Sequence, residues 1–264
     1  MRILTIANQK GGAGKTTLAV HLAVGLAARG HRTLLIDCDP QANASQHLGT
    51  LGDEDGSLQA LIYQPQRTKL PIQKLEPMPH TSLGVVPAWI GMALSEMWSD
   101  HPTTPAPVDV ARRMRDGLGD AWDWVVVDAP PGLAYWNSVA LDVADQVLIP
   151  VPATGPYPLM GLTQLESIIA RIRYRAENPR LRTLGIVATM VDTRNTLGRK
   201  ARETIATQIA DDLIFHTTIP MTVSLQRVAF INDTVWNTDP AEPVTKALAN
   251  LIGEVETRWP ASER

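Results

Sequence analysis

The chain has 264 residues, enough for one large α/β domain with a sizeable core or two small ones. Apolar residues make up 44% and charged residues 19%, with a net charge of −3; this excludes a disordered chain and any nucleic-acid binding driven by bulk charge alone. The single cysteine, Cys38, excludes a disulfide framework, a cysteine-rich zinc site and an iron–sulfur cluster built from this chain's own cysteines.

In chain order, short β-rich apolar runs alternate with helical stretches. Strands are predicted at Ile3–Ala7, Thr33–Ile36, Leu83–Val86, Trp124–Val127, Val147–Val151, Leu184–Met190 and Thr218–Ile219. Helices are predicted around Lys15–Ala28, Val108–Leu118, Leu159–Arg175 and Arg199–Ala210, with a last helical stretch over "VTKALANLIGEVETRW". Near-continuous apolar strands separated by helices imply a mostly parallel central sheet covered on both faces, a single doubly wound α/β domain over residues 1–264. Residues 52–107 are the least regular part and read as an insertion-like segment over the sheet edge. Residues 259–264 are expected to form a flexible tail.

The six histidines are scattered without metal-ligand spacing, and most are expected at the surface or at helix ends. The N-terminus "MRILTIANQK" reaches a glycine-rich loop too soon for a signal peptide, and no apolar run approaches the ~18 residues of a membrane span. A cytoplasmic protein is expected.

The stretch "IANQKGGAGKTT" has the form of a phosphate-binding loop between the first strand and the first helix. Gly11, Gly12 and Gly14 let backbone N–H groups approach phosphate oxygens, and the helix N-terminus adds partial positive charge. Gly11 through Thr17, Ala13 included, form the expected nucleotide cradle, with Lys15 on the β- and γ-phosphates and the Thr16 hydroxyl on Mg²⁺. The loop departs from the generic pattern in two places: Gln9 stands where a glycine is usual, and a second lysine, Lys10, precedes the glycine pair.

Two further signals lie at strand ends. In "LLIDCDPQAN" the spacing of two puts Asp37 and Asp39 on one face, where mutual repulsion calls for a cation or an ordered water between them. In "WDWVVVDAPPGLA" an apolar strand ends in Asp128, a carboxylate available to Mg²⁺ directly or through water.

"KGGAGKTT" resembles the deviant Walker A motif of the ParA/MinD family of P-loop ATPases. "LLIDCDPQAN", "VVVDAPPGL", "VLIPVPATGPYPLMGLTQL", "GIVATMVDTR" and "TTIPMTVSLQ" extend the resemblance, toward the ParA branch, over nearly the whole chain. The resemblance implies the deviant Walker P-loop fold and an ATPase using ATP and Mg²⁺. It implies a homodimer that sandwiches ATP, with Lys10 reaching the phosphates of the other subunit as an arginine finger does. By the same carry-over Asp39 positions the attacking water, Asp37 stands near the Mg²⁺ site with Thr16 and Asp128, and Met190 and Pro220 line an adenine pocket. Lys10, Lys15 and Asp39 are thus the candidate catalytic residues.

ParA-type proteins partition plasmids or chromosomes on nonspecific DNA, stimulated by a ParB-type partner, which implies a nucleoid-associated protein in the cytoplasm. The last helix, with Glu254 and Glu256 on its polar face, suits core packing better than a lipid surface, so no membrane partner is expected. Basic residues concentrate between Arg171 and Arg202; Arg171, Arg173, Arg175, Arg194, Arg199, Lys200 and Arg202 are DNA-binding candidates. Met221 and Ser224 stand where the family commonly has arginines, and Arg227 is a candidate substitute. The alternatives are a ParA-like ATPase positioning another cargo, such as a protein assembly, and a metabolic P-loop ligase or kinase.

Overall fold

The computed structural model describes residues 1–259 apart from 65, 68, 79–80, 98, 100, 133–134, 155–158, 160, 176, 193–199, 201–202 and 206. Eight strands form one sheet: β1 (Arg2–Ile6), β2 (Thr33–Asp37), β3 (Gln73–Leu75), β4 (Leu83–Val86), β5 (Trp124–Asp128), β6 (Gln146–Pro152), β7 (Arg182–Val191) and β8 (Ile214–Pro220). Their order is β3-β4-β2-β5-β1-β6-β7-β8, and every pairing is parallel except β3 with β4. The helices include α1 (Lys15–Ala28), α2 (Asn43–His47), α3 (Ala60–Tyr63), α4 (Met92–Met97), α5 (Pro107–Leu118), α6 (Tyr135–Val143), α7 (Leu162–Tyr174), α8 (Val223–Phe230) and α9 (Pro243–Arg258). The described residues 203–205 and 207–208, within the helix expected over Arg199–Ala210, are helical as well.

The strands alternate between two cores. On β1 and β5, Ile3, Val125 and Val127 face one layer, where Met114, Trp136, Val139, Leu165 and Ile169 of α5, α6 and α7 cover them. Leu4, Ile6 and Val126 face the other, against Leu18, Leu22, Leu26, Leu248 and Ile252 of α1 and α9. Burial on both faces is why these strands read as near-continuous apolar runs. Helix α1 is apolar nearly all round and correspondingly buried. It stops at Gly30, whose φ of 88° lets its N–H reach the Ala27 carbonyl while that of His31 reaches Leu26, closing the last turn.

Three differences from the sequence reading have physical causes. Strand β3 is only three residues, Lys74 exposed between partly buried Gln73 and Leu75, too short and polar for an apolar pattern to show, and it adds an antiparallel edge inside the segment 52–107. The flexible-tail expectation fails at Trp259, which is 1% exposed and packs edge-on to Trp124 with ring centres 5.0 Å apart; residues 260–264 lie outside the described residues. His21 is buried in the interior of α1, away from the surface and helix ends where most histidines are expected, whereas His47, also buried, does end a helix, α2.

The outer strand β8 is not left as an open edge. The Glu254 carboxylate on α9 accepts from the backbone N–H groups of His216 and Thr217 at 2.8 and 3.0 Å, and Arg258 donates to the Asp212 and Ile214 carbonyls.

Candidate functional site

Parallel pairing brings the carboxyl ends of β1, β2, β5, β6 and β7 to one pole, where ligands of open α/β sheets bind. The loop after β1 is anchored before it turns. Buried Asn8 donates to the Pro150 carbonyl at 2.6 Å and accepts the Lys10 N–H at 3.0 Å. Gly14, at φ 89°, makes the turn into α1 that a side chain would strain. From β7, the Thr189 hydroxyl donates to the Ala13 carbonyl at 2.9 Å, tying loop to sheet.

Residues 11–17 wall a cavity of about 560 Å³ together with Asp39, Gln46, His47, Pro131, Met190 and Asn232. A second cavity of about 240 Å³ shares Gly14, Thr17, Met190 and Ala229 with it and adds Ile219, Pro220, Met221 and Leu225. Both residues expected around an adenine, Met190 and Pro220, therefore line the apolar annex of the phosphate cavity. Met190 sits at φ 53°, a left-handed backbone that costs a non-glycine residue roughly 1 kcal/mol or more and recurs at functional walls.

The two lysines of the loop part company. Lys15 is 6% exposed and folds back toward the Lys10 carbonyl, 3.4 Å from its Nζ. Burial pulls its pKa down, opposed by the carboxylates of Asp128 and Asp39. The Lys10 side chain is exposed and does not line the cavity.

The three aspartates are buried at adjoining strand ends. Asp37 and Asp128 are register neighbours across β2 and β5. Asp37 is fully engaged: Oδ1 accepts the Asp39 N–H at 3.0 Å, and Oδ2 accepts the N–H and hydroxyl of Ser45 at 2.8 and 2.7 Å. Neither Asp128 oxygen has a hydrogen-bond partner of ordinary length and angle. Burial first, then the neighbouring Asp37, push the Asp128 pKa well up against the pull of Thr16 and Lys15. Burial likewise raises Asp37, and its bonds to Ser45 and Asp39 oppose the rise. Asp39 lines the cavity, with Oδ1 accepting the Gln41 N–H at 2.9 Å.

A desolvated carboxylate with two free oxygens, beside a second carboxylate and below a threonine-bearing loop, fits a hard divalent cation. Thr16 and Asp128 are the groups free to face it; Asp37, its oxygens committed, contributes charge at one remove. Among the described residues no three His, Cys, Asp or Glu side chains form a ready-made cage. That pattern suits Mg²⁺, which takes one or two carboxylates together with substrate phosphates.

Sequence reasoning missed the buried histidine pair under this floor. His21 donates from Nδ1 to the Thr17 carbonyl at 2.8 Å and accepts the Val235 N–H at Nε2, which fixes a neutral tautomer. Burial holds its pKa down at about 4. His47 stands edge-on to it at 5.6 Å and bonds the Asp233 carbonyl at 2.7 Å, joining the cavity wall to the segment before the 3-10 turn Val235–Asn237. A histidine inside the apolar run of α1 was the available signal. Ser45 and Thr189 were equally silent, since their partners are remote in sequence.

The DNA-binding candidates do not form one patch. Arg171 and Arg173 lie in the last turn of α7 and Arg175 caps it, at the pole where the strands begin. Lys200 follows β7 and Arg227 lies on α8, at the pole where the strands end; both are exposed. Arg194, Arg199 and Arg202 lie outside the described residues. A run continuous in sequence is thus split by the full length of β7.

A family model described as an AAA domain matches residues 1–183. The chain is 34% identical over 259 residues to the chromosome-partitioning ATPase Soj of Thermus thermophilus, covering 98% of this chain and 96% of that one. It is 36% identical over 234 residues to the chromosome partitioning protein ParA of Myxococcus xanthus, covering 85% and 77%. Among solved structures, cobyrinic acid a,c-diamide synthase of Mycobacterium smegmatis with bound ATP analog and magnesium superimposes with a TM-score of 0.77 at 22% identity, over 99% of this chain and 96% of that one. At that identity the likeness speaks for the fold alone. With the phosphate loop, its second lysine and the three strand-end aspartates in place, the chain belongs to the ParA-type partition ATPases of the deviant Walker A P-loop family.

Proposed function

We propose that this ATPase is a dimerising switch: with ATP and Mg²⁺ bound, two copies close over their nucleotide faces, hold nonspecific DNA, and separate after hydrolysis. The observation that carries the reading is the divergence of the two loop lysines. Lys15 is buried beside Asp128 and Asp39, whereas Lys10 leaves its own cavity, free to reach phosphates held by a second copy. A charge supplied in trans leaves the monomer's site incomplete, which suits a slow timer.

Within one subunit, N–H groups of residues 11–17 cradle the phosphates and Lys15 neutralises their charge. Asp39 orients the attacking water from the cavity wall. Thr16 and Asp128 would hold Mg²⁺, which would supply neutralising charge for the phosphates; the cobyrinic acid a,c-diamide synthase structure of similar fold has bound ATP analog and magnesium. The annex lined by Met190 and Pro220 takes the base.

The rim of the cavity supports closure by a second copy. Phe230 is 92% exposed and Ile231 62%, next to Ala229 and Asn232 of the cavity wall, and Met221 and Val223 extend the apolar face. On this face Arg227 is the basic residue of α8, consistent with the loss of arginines at Met221 and Ser224; Ser224 instead donates to Glu242 at 3.3 Å. A ParB-type centromere-binding protein is the expected stimulator, and the nucleoid the expected platform.

The test is retention on nonspecific duplex DNA with no nucleotide, with ADP and with a slowly hydrolysed ATP analogue, Lys15→Ala serving as control. Retention enhanced by the analogue, lost in Lys15→Ala and weakened by Arg227→Glu supports the switch. No retention in any state sinks the DNA platform, and a phosphorylated small-molecule product would replace the switch by a phosphoryl-transfer enzyme.

A further inference from the structure

The carboxyl end of α7 and the turn that follows it carry a second basic surface, none of whose residues lines the phosphate cavity. Arg171, Tyr174 and Arg175 stand at i, i+3 and i+4, on one exposed face of the last turn. Tyr174 is 92% exposed, an aromatic side chain left in water on the same turn as Arg171 and Arg175. Arg173, Arg180 and Arg182 are exposed around them. Against these arginines the segment sets Glu177, which lies 3.8 Å from Arg175. Arg171, Arg173 and Arg180 have no acidic partner among the described residues.

The surface is held in place. Asn178, 4% exposed, donates to the carbonyls of Leu141 and Ala144 at 3.2 and 2.6 Å and so fastens the turn to the end of α6. The Glu177 N–H closes onto the Ile172 carbonyl, and Arg182 braces its own turn by donating to the Pro179 and Leu181 carbonyls. Asp211 and Asp212, exposed just before β8, bound the surface one strand further out. Arginines near a helix C-terminus gain a few tenths of a kcal/mol from the helix dipole, which accounts for one cation there. It does not account for like charges at i, i+4 beside an exposed aromatic residue.

We infer that Arg171, Tyr174 and Arg175, with Arg173, Arg180 and Arg182, form a nucleotide-independent contact for the phosphate backbone of duplex DNA, at the pole opposite the ATP cavity. The inference rests on the reading of this ATPase as a DNA-bound switch. Arginine supplies phosphate recognition and Tyr174 a flat face against sugar or base edges. A lipid headgroup layer fits less well, because the surface offers no apolar area to bury beyond one tyrosine. Separation makes the contact independent of the switch: β7 from Arg182 to Met190 spans about 25 Å of strand between this surface and the cavity wall. The expected result is a weak tether that keeps the ADP-bound protein near DNA, to which the nucleotide-dependent contact adds.

The test uses the triple variant Arg171→Ala, Tyr174→Ala, Arg175→Ala, whose side chains are exposed and whose removal leaves the core intact. Affinity for a random-sequence duplex is measured against salt in ADP and in the ATP analogue, beside ATP turnover and beside anionic phosphatidylglycerol vesicles. Expected are a loss of about tenfold or more in the ADP state at low salt and a salt slope shallower by about two units in both states. The ratio of analogue to ADP affinity and the turnover without DNA stay at wild-type values. Unchanged ADP-state affinity and slope overturn the inference, as does wild-type protein that binds DNA only with the analogue; the latter leaves the switch standing. Wild-type protein that binds DNA in no state overturns both. ADP-state binding to vesicles that exceeds binding to DNA, and that the triple variant loses, overturns the DNA assignment in favour of lipid.

Discussion

Asp37 and Asp128 stand side by side at the ends of adjacent strands, both fully buried, yet one is saturated with hydrogen bonds and the other has none of ordinary length and angle. The pair therefore answers the same substitution in opposite directions. Asp128→Asn removes, at almost constant volume, a buried carboxyl whose ionisation burial penalises, so the melting temperature of the nucleotide-free protein is expected to rise. Asp37→Asn sets an NH₂ group against N–H donors and strands at least one of them, costing about 1–3 kcal/mol, or roughly 2–4 °C per kcal/mol for a chain of this size. Thermal melts read both effects. The stabilisation by Mg²⁺ and ATP should vanish in Asp128→Asn, and its persistence would remove Asp128 from the metal site.

Gly25 on α1 sits where α9 and the turn around Trp236 cross. A Cβ there would come within 2.6 Å of the Trp236 ring and closer still to the Ile252 tip. Ile252 can rotate, but Trp236 is held by its Nε1 donating to the His21 carbonyl at 2.9 Å. Alanine gains about 1 kcal/mol of helix propensity, and overpacking costs about 1–3 kcal/mol. The crowding should win, so Gly25→Ala is expected to lower the melting temperature by a few degrees; a rise would mean the crossing relaxes.

What was legible in the sequence followed from local chemistry. The doubly wound sheet announced itself because strands buried on both faces are apolar throughout, and α1 has the bounds expected from its pattern, Lys15–Ala28. The cradle and the three aspartates were legible because motif and strand end coincide. Tertiary partners were not: Ser45 under Asp37, Thr189 on the Ala13 carbonyl and the ring contact of His21 with His47 join residues that no spacing links. Nor could a one-dimensional charge count tell that Arg171 and Lys200, close along the chain, lie at opposite poles.

Asp142 gives the fold a pH dependence that can be isolated. Its Oδ1 has no partner, and burial with the nearby Glu177 charge lifts its pKa from 3.8 to about 7. Because the folded pKa is the higher one, ionisation penalises the fold fully above about pH 7, and the penalty fades as pH falls toward 4. Partial exposure screens part of it. His21 acts in the opposite sense, its folded pKa of about 4 against 6.5 removing stability as pH falls through that window. That contribution is common to both proteins and cancels in their difference. Asp142→Asn should therefore melt several degrees above wild type near pH 8 and close to it near pH 5; a difference independent of pH would rule out Asp142 as its source.

Whether Lys10 acts on its own cavity or on a partner's can be decided by mixing two inactive proteins. In a dimer of one Lys10→Ala subunit with one Asp39→Ala subunit, action in trans leaves one intact site. The cavity of the Lys10→Ala subunit keeps its Asp39 and receives Lys10 from its neighbour. Action in cis leaves none, since each cavity then lacks one of the two groups. Random mixing should restore roughly a quarter of wild-type turnover in the first case and nothing in the second. Nucleotide binding by the separate Lys10→Ala protein should survive, because Lys10 does not line its own cavity, whereas Lys15→Ala should abolish it. Exposure of Lys10 beside buried Lys15 favours restoration, and a mixture as dead as its components would return both lysines to a single subunit.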